Sequence, residues 1–486
     1  MRVLYVNWVD YLDTQGRGGG VSLYQRNLMA ARPGDDTLFL ASGTSYDMRP
    51  GPPRWEPMRH GPAADRARRF EIVNSGVMAP GHVSFGDPAQ VDHPATEAVF
   101  FDFLESHGPF DVVHFNNLEG LPAGVLRLAD RCPGTRVVMS LHNYYLLCPQ
   151  VNLWQRERAH CTDFEGGRAC ETCLPVPPAP RAGRMAAGLD YRLKSAGLEP
   201  GSRRYDAIFA LVLALGRRAL GLVRAIRRAR RSAPVPTAAA PALASPFGLR
   251  RTAMVEAINQ GCDVVLCVSD AVRDIAVSHG IEPDIARTCY IGTTQAAAWD
   301  VTAPRPLPAP GDVPLTLAYL GYMRRDKGFY FLLDALESAP DDLLARLRLV
   351  VAARAGDALT MARLRALGPR LAALDWHDGY THAGLEALLE GVDVGLVPPL
   401  WADNLPQVAI EMHSRHIPLL CSDMGGAQEL SGSAAMTFAA GDAEAFQDRL
   451  AALVAGEIDM DAYWRNAQAP VTIGQHLTEL ERHYTQ

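Results

Sequence analysis

The stretch Leu315-Thr-Leu-Ala-Tyr-Leu320-Gly-Tyr-Met-Arg-Arg-Asp-Lys327-Gly328 decides the fold class of this 486-residue chain. Its first six residues are an apolar run of strand length, and a glycine-bounded turn with three cations follows. Apolar residues with helical spacing then continue over residues 330–336. A buried strand, a turn and a helix in this order are typical of a parallel sheet with crossover helices.

The same order recurs along most of the chain, on both sides of a Pro-rich linker at residues 302–311. Strands are predicted at residues 2–6, 37–41, 112–115, 136–140, 264–268, 315–320, 347–352, 392–397 and 418–422. Helices are predicted at residues 21–31, 123–131, 271–278, 330–336, 359–367, 384–389 and 408–413. The pattern therefore predicts two doubly wound α/β domains that face a central cleft, with ligands at the carboxyl ends of the strands.

Composition and charge narrow the class of protein. With 48% hydrophobic and 21% charged residues, general disorder is excluded. The net charge of -7 divides into +11 for residues 181–250 and -18 for the rest of the chain. No signal peptide or membrane-spanning run is recognisable, so we expect a cytoplasmic protein, with peripheral contact on the inner face of the membrane as an addition.

A glycine-rich loop, Gly16-Arg-Gly-Gly-Gly20, follows the first predicted strand and precedes a helical pattern. Such a loop lets the backbone approach a bulky ligand and directs helix amides at negative charge. A flexible turn between strand and helix is an equally good interpretation of these residues alone.

The second half of the chain has a stronger set of polar residues. Lys327 lies in a basic turn that suits a diphosphate, although a solvated basic turn would read the same. Further on, Asp403-Asn404-Leu405-Pro406 precedes a predicted helix that contains Glu411, eight positions after Asp403. These carboxylates suit sugar hydroxyls, and amides at the helix start suit phosphate. Cys421-Ser-Asp-Met-Gly425-Gly426 then repeats the strand and glycine turn.

These motifs resemble the retaining glycosyltransferases of family 4, also called group 1, which have the GT-B fold. The resemblance covers about residues 1–175 and 252–486, and its most specific part is the pair of acids followed by a strand and Gly-Gly. It implies that Asp403 contacts hydroxyls of the donor sugar, that Glu411 contacts the nucleotide ribose and that Lys327 binds the diphosphate.

The resemblance also implies roles for further residues. Gly19 and Gly20 would lie near the phosphates and the acceptor, and His142 would lie beside the sugar. Further first-domain strand ends implied to face the cleft are His114, Asn116 and Ser269. The donor-binding set implied by the resemblance comprises Gly19, Gly20, Arg325, Asn404, Leu405 and Glu411, and the catalytic set comprises His142, Lys327 and Asp403.

Three positions depart from the family pattern. Asp403 stands where Glu is usual, Tyr322 stands where Arg often follows the glycine of the diphosphate turn, and Tyr290 stands where Asn is common. Arg325 is our candidate to replace the missing Arg.

The implied activity is that of a retaining, hexosyltransferase-type enzyme of EC class 2.4. It would move a sugar from a UDP-, GDP- or ADP-sugar to a hydroxyl of a glycan, a lipid-linked acceptor or a small molecule. No catalytic cofactor or metal is implied. The alternatives are a catalytically inactive sugar-nucleotide-binding scaffold or regulatory partner in glycan assembly, and a GT-B epimerase that acts on the nucleotide sugar itself.

Four cysteines follow the His142 strand: Cys148, Cys161, Cys170 and Cys173. Four thiols within 26 residues suit a closed tetrahedral zinc site, which would brace a loop and perform no chemistry. Two disulfides or free thiols are the alternatives, and His160 is a substitute ligand.

A basic insertion interrupts the first domain at about residues 176–250, between Pro-rich flanks. Residues 205–231 begin apolar and end arginine-rich, which is typical of a helix in an anionic membrane interface. Contact with a polyanionic acceptor, packing on the first domain or a solvated basic helix are alternatives. Nucleic-acid binding is disfavoured because interleaved aromatic residues are absent. The predicted domains are residues 1–298 and 312–470, and a helix at 471–486 is expected to pack back on the first.

Overall fold

The computed structural model describes residues 1–34, 36–174, 179–229, 245–311 and 313–486, and for residues 217–229 only the backbone. The chain divides into two compact units. The first unit comprises residues 1–140, 144–151 and 163–265, and the second comprises residues 141–143, 152–162 and 266–486. The Pro-rich flanks over residues 175–178 and 234–244, and the end of the predicted basic helix at residues 230–231, lie outside the described residues.

The first ten strands contribute an eight-stranded sheet and a short hairpin. They are β1 (Val3–Asn7), β2 (Thr37–Ser45), β3 (Arg54–Pro57), β4 (Arg69–Val73), β5 (Val112–Phe115), β6 (Arg136–Leu141), β7 (Trp154–Gln155), β8 (Ala159–His160), β9 (Val264–Cys267) and β10 (Ala286–Thr288). The sheet has the order β10-β9-β6-β5-β1-β2-β4-β3, and β7 pairs with β8. Parallel pairing on both sides of β1 aligns Val3 with Thr37 and Val112, whereas β3 is antiparallel to β4.

Among the described residues, six α-helices accompany these strands. They are α1 (Gly19–Ala31), α2 (Pro94–His107), α3 (Pro180–Ser195), α4 (Arg203–Ala229), α5 (Pro246–Gly261) and α6 (Asp270–Ser278). The helix predicted over residues 123–131 is wrong, because this segment forms two 3-10 turns, Ala123–Leu126 and Leu128–Asp130. A Cβ on Gly124 would lie 2.3 Å from the Glu97 carboxyl group, so the segment is fitted closely against α2.

The second sheet has six strands, all of them parallel, in the order β13-β12-β11-β14-β15-β16. The strands are β11 (Leu315–Gly321), β12 (Leu347–Ala353), β13 (Ala373–His377), β14 (Val394–Val397), β15 (Leu419–Ser422) and β16 (Thr437–Phe438). In chain order this is 3-2-1-4-5-6, the order of a doubly wound nucleotide-binding fold.

In the part of the chain that the structure describes, nine α-helices flank this sheet or follow it. They are α7 (Phe329–Ser338), α8 (Asp341–Leu344), α9 (Ala358–Leu367), α10 (Leu385–Leu389), α11 (Gln407–His413), α12 (Ala427–Ser431), α13 (Ala443–Ala455), α14 (Met460–Asn466) and α15 (Ile473–Thr485). Strand β11 is buried from Leu315 to Leu320, as expected for a central parallel strand covered on both faces. In the described part of the chain, no helix is both long enough and apolar enough to cross a bilayer.

Candidate functional site

Two polar loops meet at the point where the strand order of the second sheet reverses. Strands β11 and β14 are direct neighbours, with Leu317 aligned with Val394. The helix after β11 leads to β12 on one side of the sheet, and the chain later returns to β14 on the other side. Loops at the carboxyl ends of two such strands diverge and leave a crevice, which is where ligands bind in doubly wound folds. Lys327 lies in the loop after β11 and Asp403 in the loop after β14.

Lys327 and Asp403 form an ion pair across this crevice. Lys327 Nζ lies 2.5 Å from Asp403 Oδ2 and 5.0 Å from the centre of the Trp401 ring. The Lys327 side chain is 28% exposed and that of Asp403 is 9% exposed, so the cation can still reach a ligand. The turn approaches the β14 loop closely, since a Cβ on Gly328 would lie 1.7 Å from the Pro398 carbonyl oxygen.

Asn404, next to Asp403, has a buried side-chain amide whose Nδ2 and Oδ1 form no hydrogen bond in this structure. Its backbone is well held, because Asn404 O accepts a 2.7 Å hydrogen bond from Ser269 Oγ. Burying an amide without partners costs about 1–3 kcal/mol. A held loop that carries such an amide is therefore suited to a ligand that supplies the missing hydrogen bonds.

The glycine turn after β15 contacts the backbone of the Asp403 loop. Gly426 N donates a 2.9 Å hydrogen bond to Asp403 O. Gly425 has φ 82°, and a Cβ there would lie 2.0 Å from the same oxygen. The Gly-Gly pair predicted from the sequence thus fixes the backbone of Asp403.

Glu411 lies buried on α11 and accepts two side-chain hydrogen bonds. Tyr380 OH donates to Oε2 at 2.6 Å, and His382 Nε2 lies 2.9 Å from Oε1. Burial, followed by the Glu411 charge, raises the pKa of Tyr380, so its hydroxyl remains a donor. Tyr380 and His382 were not predicted. They follow β13, an edge strand whose half-exposed residues lack the continuous apolar pattern of its neighbours.

The other predicted donor-binding residues of this loop pair differ in their surroundings. Arg325 is exposed and its guanidinium carbon lies 5.3 Å from the centre of the Tyr330 ring. Arg324 instead pairs with buried Asp326 at 2.7 Å, so its charge is already neutralised. Leu405 is buried. Tyr322 is 55% exposed and is among the groups that raise the pKa of Tyr380.

Glu429, the acid after the Gly-Gly turn, serves a structural purpose. Its carboxylate accepts hydrogen bonds from the backbone amides of Asp270 and Ala271 at 2.9 and 2.8 Å, at the start of α6. Tyr290 OH donates to it at 2.7 Å. Tyr290, one of the three departures from the family pattern, is thereby bonded to Glu429.

His142 directly follows β6 and belongs to the second unit. Burial, together with the charge of His476, lowers the pKa of His142 to about 3. The imidazole is therefore neutral at physiological pH and can donate or accept one hydrogen bond at each nitrogen as its tautomer dictates.

Gly19 and Gly20 are exposed residues of the first unit, at the start of α1. In the loop before them, Arg17 pairs with Asp13 of the same loop at 2.7 Å and with Asp190 of α3, in the basic insertion, at 3.3 Å. His114 and Asn116, by contrast, are fully buried. His114 Nε2 lies 2.7 Å from Ser140 Oγ, and Asn116 donates to Gln25, so both have partners inside this unit.

Among the described residues, the four clustered cysteines form no disulfide bond. Cys148, Cys170 and Cys173 are buried in the first unit, and Cys161 is half-buried in the second. Cys173 Sγ donates to Gln150 Oε1 at 3.5 Å.

Comparison with known families agrees with this geometry. Residues 314–456, which include the basic turn, the Asp403 loop, Glu411 and the Gly-Gly turn, match the family described as Glycosyl transferases group 1. This part of the chain is similar to the group 1 glycosyltransferases. The family resemblance seen in the sequence is therefore confirmed, whereas a search of curated proteins finds no match.

Similarity to solved structures shows that the chain has the GT-B fold. HepE of Anabaena in complex with UDP-glucose is 12% identical with a TM-score of 0.51, and the match covers all of both chains. A UDP-forming α,α-trehalose-phosphate synthase of Burkholderia xenovorans, in complex with glucose-6-phosphate, is 12% identical with a TM-score of 0.54, again over both complete chains. Sucrose-phosphate synthase of Thermosynechococcus elongatus is 14% identical with a TM-score of 0.54, over 100% of this chain and 98% of that one. The predicted fold class is confirmed.

Proposed function

We propose that this glycosyltransferase moves a hexose from a nucleotide-diphosphate sugar to an acceptor hydroxyl with retention of anomeric configuration. The observation that carries the proposal is the arrangement of Lys327, Asp403 and Asn404 at the switch point of the second sheet. It combines a cation for the diphosphate with acceptors and donors for sugar hydroxyls.

The proposed reaction breaks the bond between the anomeric carbon and the diphosphate oxygen, which leaves with the electron pair. The acceptor oxygen bonds to the same face of that carbon, and its proton passes to the departing phosphate. Lys327 would stabilise the negative charge that develops on the leaving group. The neutral imidazole of His142 would bind the sugar as an uncharged partner.

The Glu411 carboxylate can accept further hydrogen bonds from the ribose of the donor. Each of its oxygens has one protein partner, Tyr380 or His382, and a carboxylate oxygen can accept a further hydrogen bond. We propose that the ribose hydroxyls donate to it, while Tyr380 and His382 keep its orientation fixed.

The experiment incubates the purified protein with UDP-, GDP- and ADP-sugars and measures free nucleotide diphosphate, beginning with UDP-glucose, the ligand of HepE. We expect slow hydrolysis of one donor, and the anomer formed on transfer, read by NMR, to match the donor. A thermal shift with a nucleotide sugar but no release and no transfer would favour the inactive scaffold instead. Conversion of the donor into another nucleotide sugar would indicate an epimerase.

We also propose that α4 contacts an anionic membrane surface and brings a lipid-linked acceptor to the glycine-rich loop. Four apolar side chains of α4 are 38–60% exposed and recur at helical spacing on one face: Ile208, Leu211, Val212 and Leu215. An apolar helix face followed in the sequence by many arginines suits the boundary between acyl chains and anionic headgroups.

The start of α4 is connected to the glycine-rich loop by hydrogen bonds within the first unit. Tyr205 OH donates to Asp190 Oδ1 at 2.5 Å, and Gln15 Nε2 donates to Tyr205 OH at 2.9 Å. A ligand bound to the start of α4 would therefore lie close to the glycine-rich loop that contains Gly19 and Gly20.

Liposome flotation tests the membrane proposal. We expect wild-type protein to float with vesicles that contain anionic lipid, and Leu211→Glu with Leu215→Glu to stay in the soluble fraction. Leu249→Glu, a change at an exposed leucine on α5, is the matched control and should float. Equal recovery of all three proteins in the soluble fraction would refute the proposal.

Zinc at the cysteine cluster remains a proposal. Its three buried thiols lie in a part of the first unit where a bound ion would brace the chain after β6. We expect Cys170→Ser to lower the zinc content of the purified protein by one equivalent. An unchanged zinc content would remove the site.

A further inference from the structure

A second group of metal-ligating side chains lies outside the donor site and outside the cysteine cluster. The ligand atoms of Cys289, Glu479 and His483 all lie within 4.8 Å of one another. His476 is a neighbour of one member of this group, since its Nδ1 lies 3.8 Å from Cys289 Sγ. Cys289 and His476 are buried, and Glu479 and His483 are half-buried. All four residues belong to the second unit.

Three of these residues lie on one face of α15. Positions 476, 479 and 483 are separated by three and four residues, which places their side chains one above another on a helix. Cys289 comes from a different segment, directly after β10, where its backbone amide donates a 2.8 Å hydrogen bond to Cys267 O. A metal bound here would link the last helix of the chain to the segment after β10.

The two segments are held together independently of any metal. Thr293 N donates to Val471 O at 3.0 Å, just before α15 begins. A capping box between Thr472 and Gln475 fixes the helix start. Gly292 packs beneath the helix, because a Cβ there would lie 2.6 Å from His476 Cβ. The side chains are thus presented by a backbone that is already in place, which lowers the ordering cost of binding an ion.

The donor set selects the class of metal. One thiolate, two imidazoles and one carboxylate match the sulfur, nitrogen and oxygen ligands of zinc, whereas Mg²⁺ and Ca²⁺ prefer oxygen ligands alone. In a tetrahedral zinc site, neighbouring ligand atoms lie about 3.3–3.6 Å apart. The ligand atoms of Cys289, Glu479 and His483 are at most 4.8 Å apart, and His476 Nδ1 lies 3.8 Å from Cys289 Sγ, so side-chain rotations have to bring the four ligand atoms closer to one ion.

We propose that the protein binds one structural zinc ion through four side chains: Cys289, His476, Glu479 and His483. Four protein ligands leave no open coordination position, so the ion would fix α15 and would not activate water. The Cys289 thiol at present donates to the Glu479 carboxylate, and zinc would replace that proton.

The test compares zinc content, by elemental analysis after reloading with zinc and dialysis, in full-length wild-type protein and in His483→Ala. The sequence also predicts zinc at the cysteine cluster, so the deciding quantity is the difference between the two proteins. We expect His483→Ala to hold one equivalent less, and zinc to raise the Tm of wild type more than that of the variant. His377→Ala, which removes an exposed histidine on β13, is the matched control and should bind as wild type does.

A second measurement covers the case in which His483→Ala is poorly folded. Glu479→Gln keeps the size of the side chain and should weaken zinc binding by 10-fold or more. Cobalt added in place of zinc should give a thiolate-to-metal charge-transfer band that is weaker in Cys289→Ser than in wild type by the contribution of one thiolate. Equal zinc content, an equal zinc-induced Tm shift and an unchanged cobalt spectrum across these variants would overturn the proposal.

Discussion

At the scale of single residues, Lys327 has the most direct chemical role. We expect Lys327→Ala to lower donor turnover by about 100-fold or more, because it removes the charge that stabilises the leaving diphosphate. Arg324→Ala is the matched control in the same turn, since its guanidinium is already neutralised by Asp326. Steady-state release of nucleotide diphosphate measures both. Equal losses in the two variants would mean that the turn as a whole, and not Lys327, supports activity.

A substitution at Asn404 separates the contribution of its amide to ligand binding from its contribution to protein stability. Asn404→Leu keeps the side-chain size and removes two buried polar atoms that have no hydrogen-bond partner, so the ligand-free Tm should stay the same or rise. The dissociation constant of the nucleotide sugar should rise about 10-fold or more, as expected for the loss of about 1–3 kcal/mol. Calorimetric titration measures the dissociation constant, and thermal unfolding measures the ligand-free Tm. A lower Tm with unchanged affinity would show that the amide supports the fold instead.

At the scale of elements, the Gly-Gly turn after β15 positions the Asp403 loop. In Gly425→Ala, a residue with a left-handed backbone would gain a Cβ only 2.0 Å from Asp403 O. We therefore expect the free energy of unfolding to fall by about 3 kcal/mol. Gly391→Ala is the control: its φ is 72° but nothing lies within 4 Å, and the cost should be about 1 kcal/mol. Urea unfolding measures both, and similar losses would refute the close-contact explanation.

The strands and helices also show how much of the fold could be predicted from the sequence alone. The strands β5, β11 and β12 and the helices α7 and α9 were predicted within a residue or two, because buried parallel strands are continuous apolar runs and their helices are amphipathic. Strand β13 was missed because its edge position leaves it half-exposed. Consequently Tyr380 and His382, which follow it and orient Glu411, carried no recognisable signal.

The candidate site was predictable where it depends on loops between a strand and a helix. Lys327 and Asp403 follow adjacent strands in a recognisable motif, and the structure joins them at 2.5 Å. The backbone of Asn404 is held by Ser269, a residue far away in sequence, and no local pattern indicates that the buried Asn404 amide lacks a partner. Cys289 and α15 are likewise far apart in sequence, and no local sequence pattern indicates that they lie together.

At the scale of the whole molecule, buried Glu71 links stability to pH. Burial raises the pKa of Glu71 to about 7, a Ser45 hydrogen bond opposes this shift and the nearby Glu56 adds to it. The folded state therefore holds a proton that the unfolded state has lost between pH 4.5 and 7, so the contribution of Glu71 to stability falls as pH rises through that window.

Glu71→Gln should remove this dependence. Relative to wild type, the variant should gain up to about 3 kcal/mol of unfolding free energy as the pH rises from 4.5 to above 7. Glu105→Gln, a change at an exposed carboxylate of α2, is the control and should give a flat difference. Chemical unfolding at a series of pH values measures both. A Glu71→Gln gain that does not change with pH would contradict the assignment.

Charge is divided in a way that matches the proposed roles of the molecule. The excess of +11 lies in residues 181–250, and the rest of the chain carries -18, so that the three cations of the Lys327 turn are a local exception in an acidic part of the sequence. Long-range attraction of nucleotide sugars by net charge is therefore not expected, and the donor must be recognised by short-range contacts at the switch point.

The central claim is that a nucleotide-diphosphate sugar binds at the carboxyl ends of β11 and β14. A crystal structure of the protein with the nucleotide diphosphate that raises its Tm most tests it directly. The account predicts that Lys327 Nζ lies about 3 Å from a diphosphate oxygen and that the Asn404 amide is hydrogen-bonded to the ligand. A nucleotide bound elsewhere, with Lys327 paired to Asp403 alone, would contradict it.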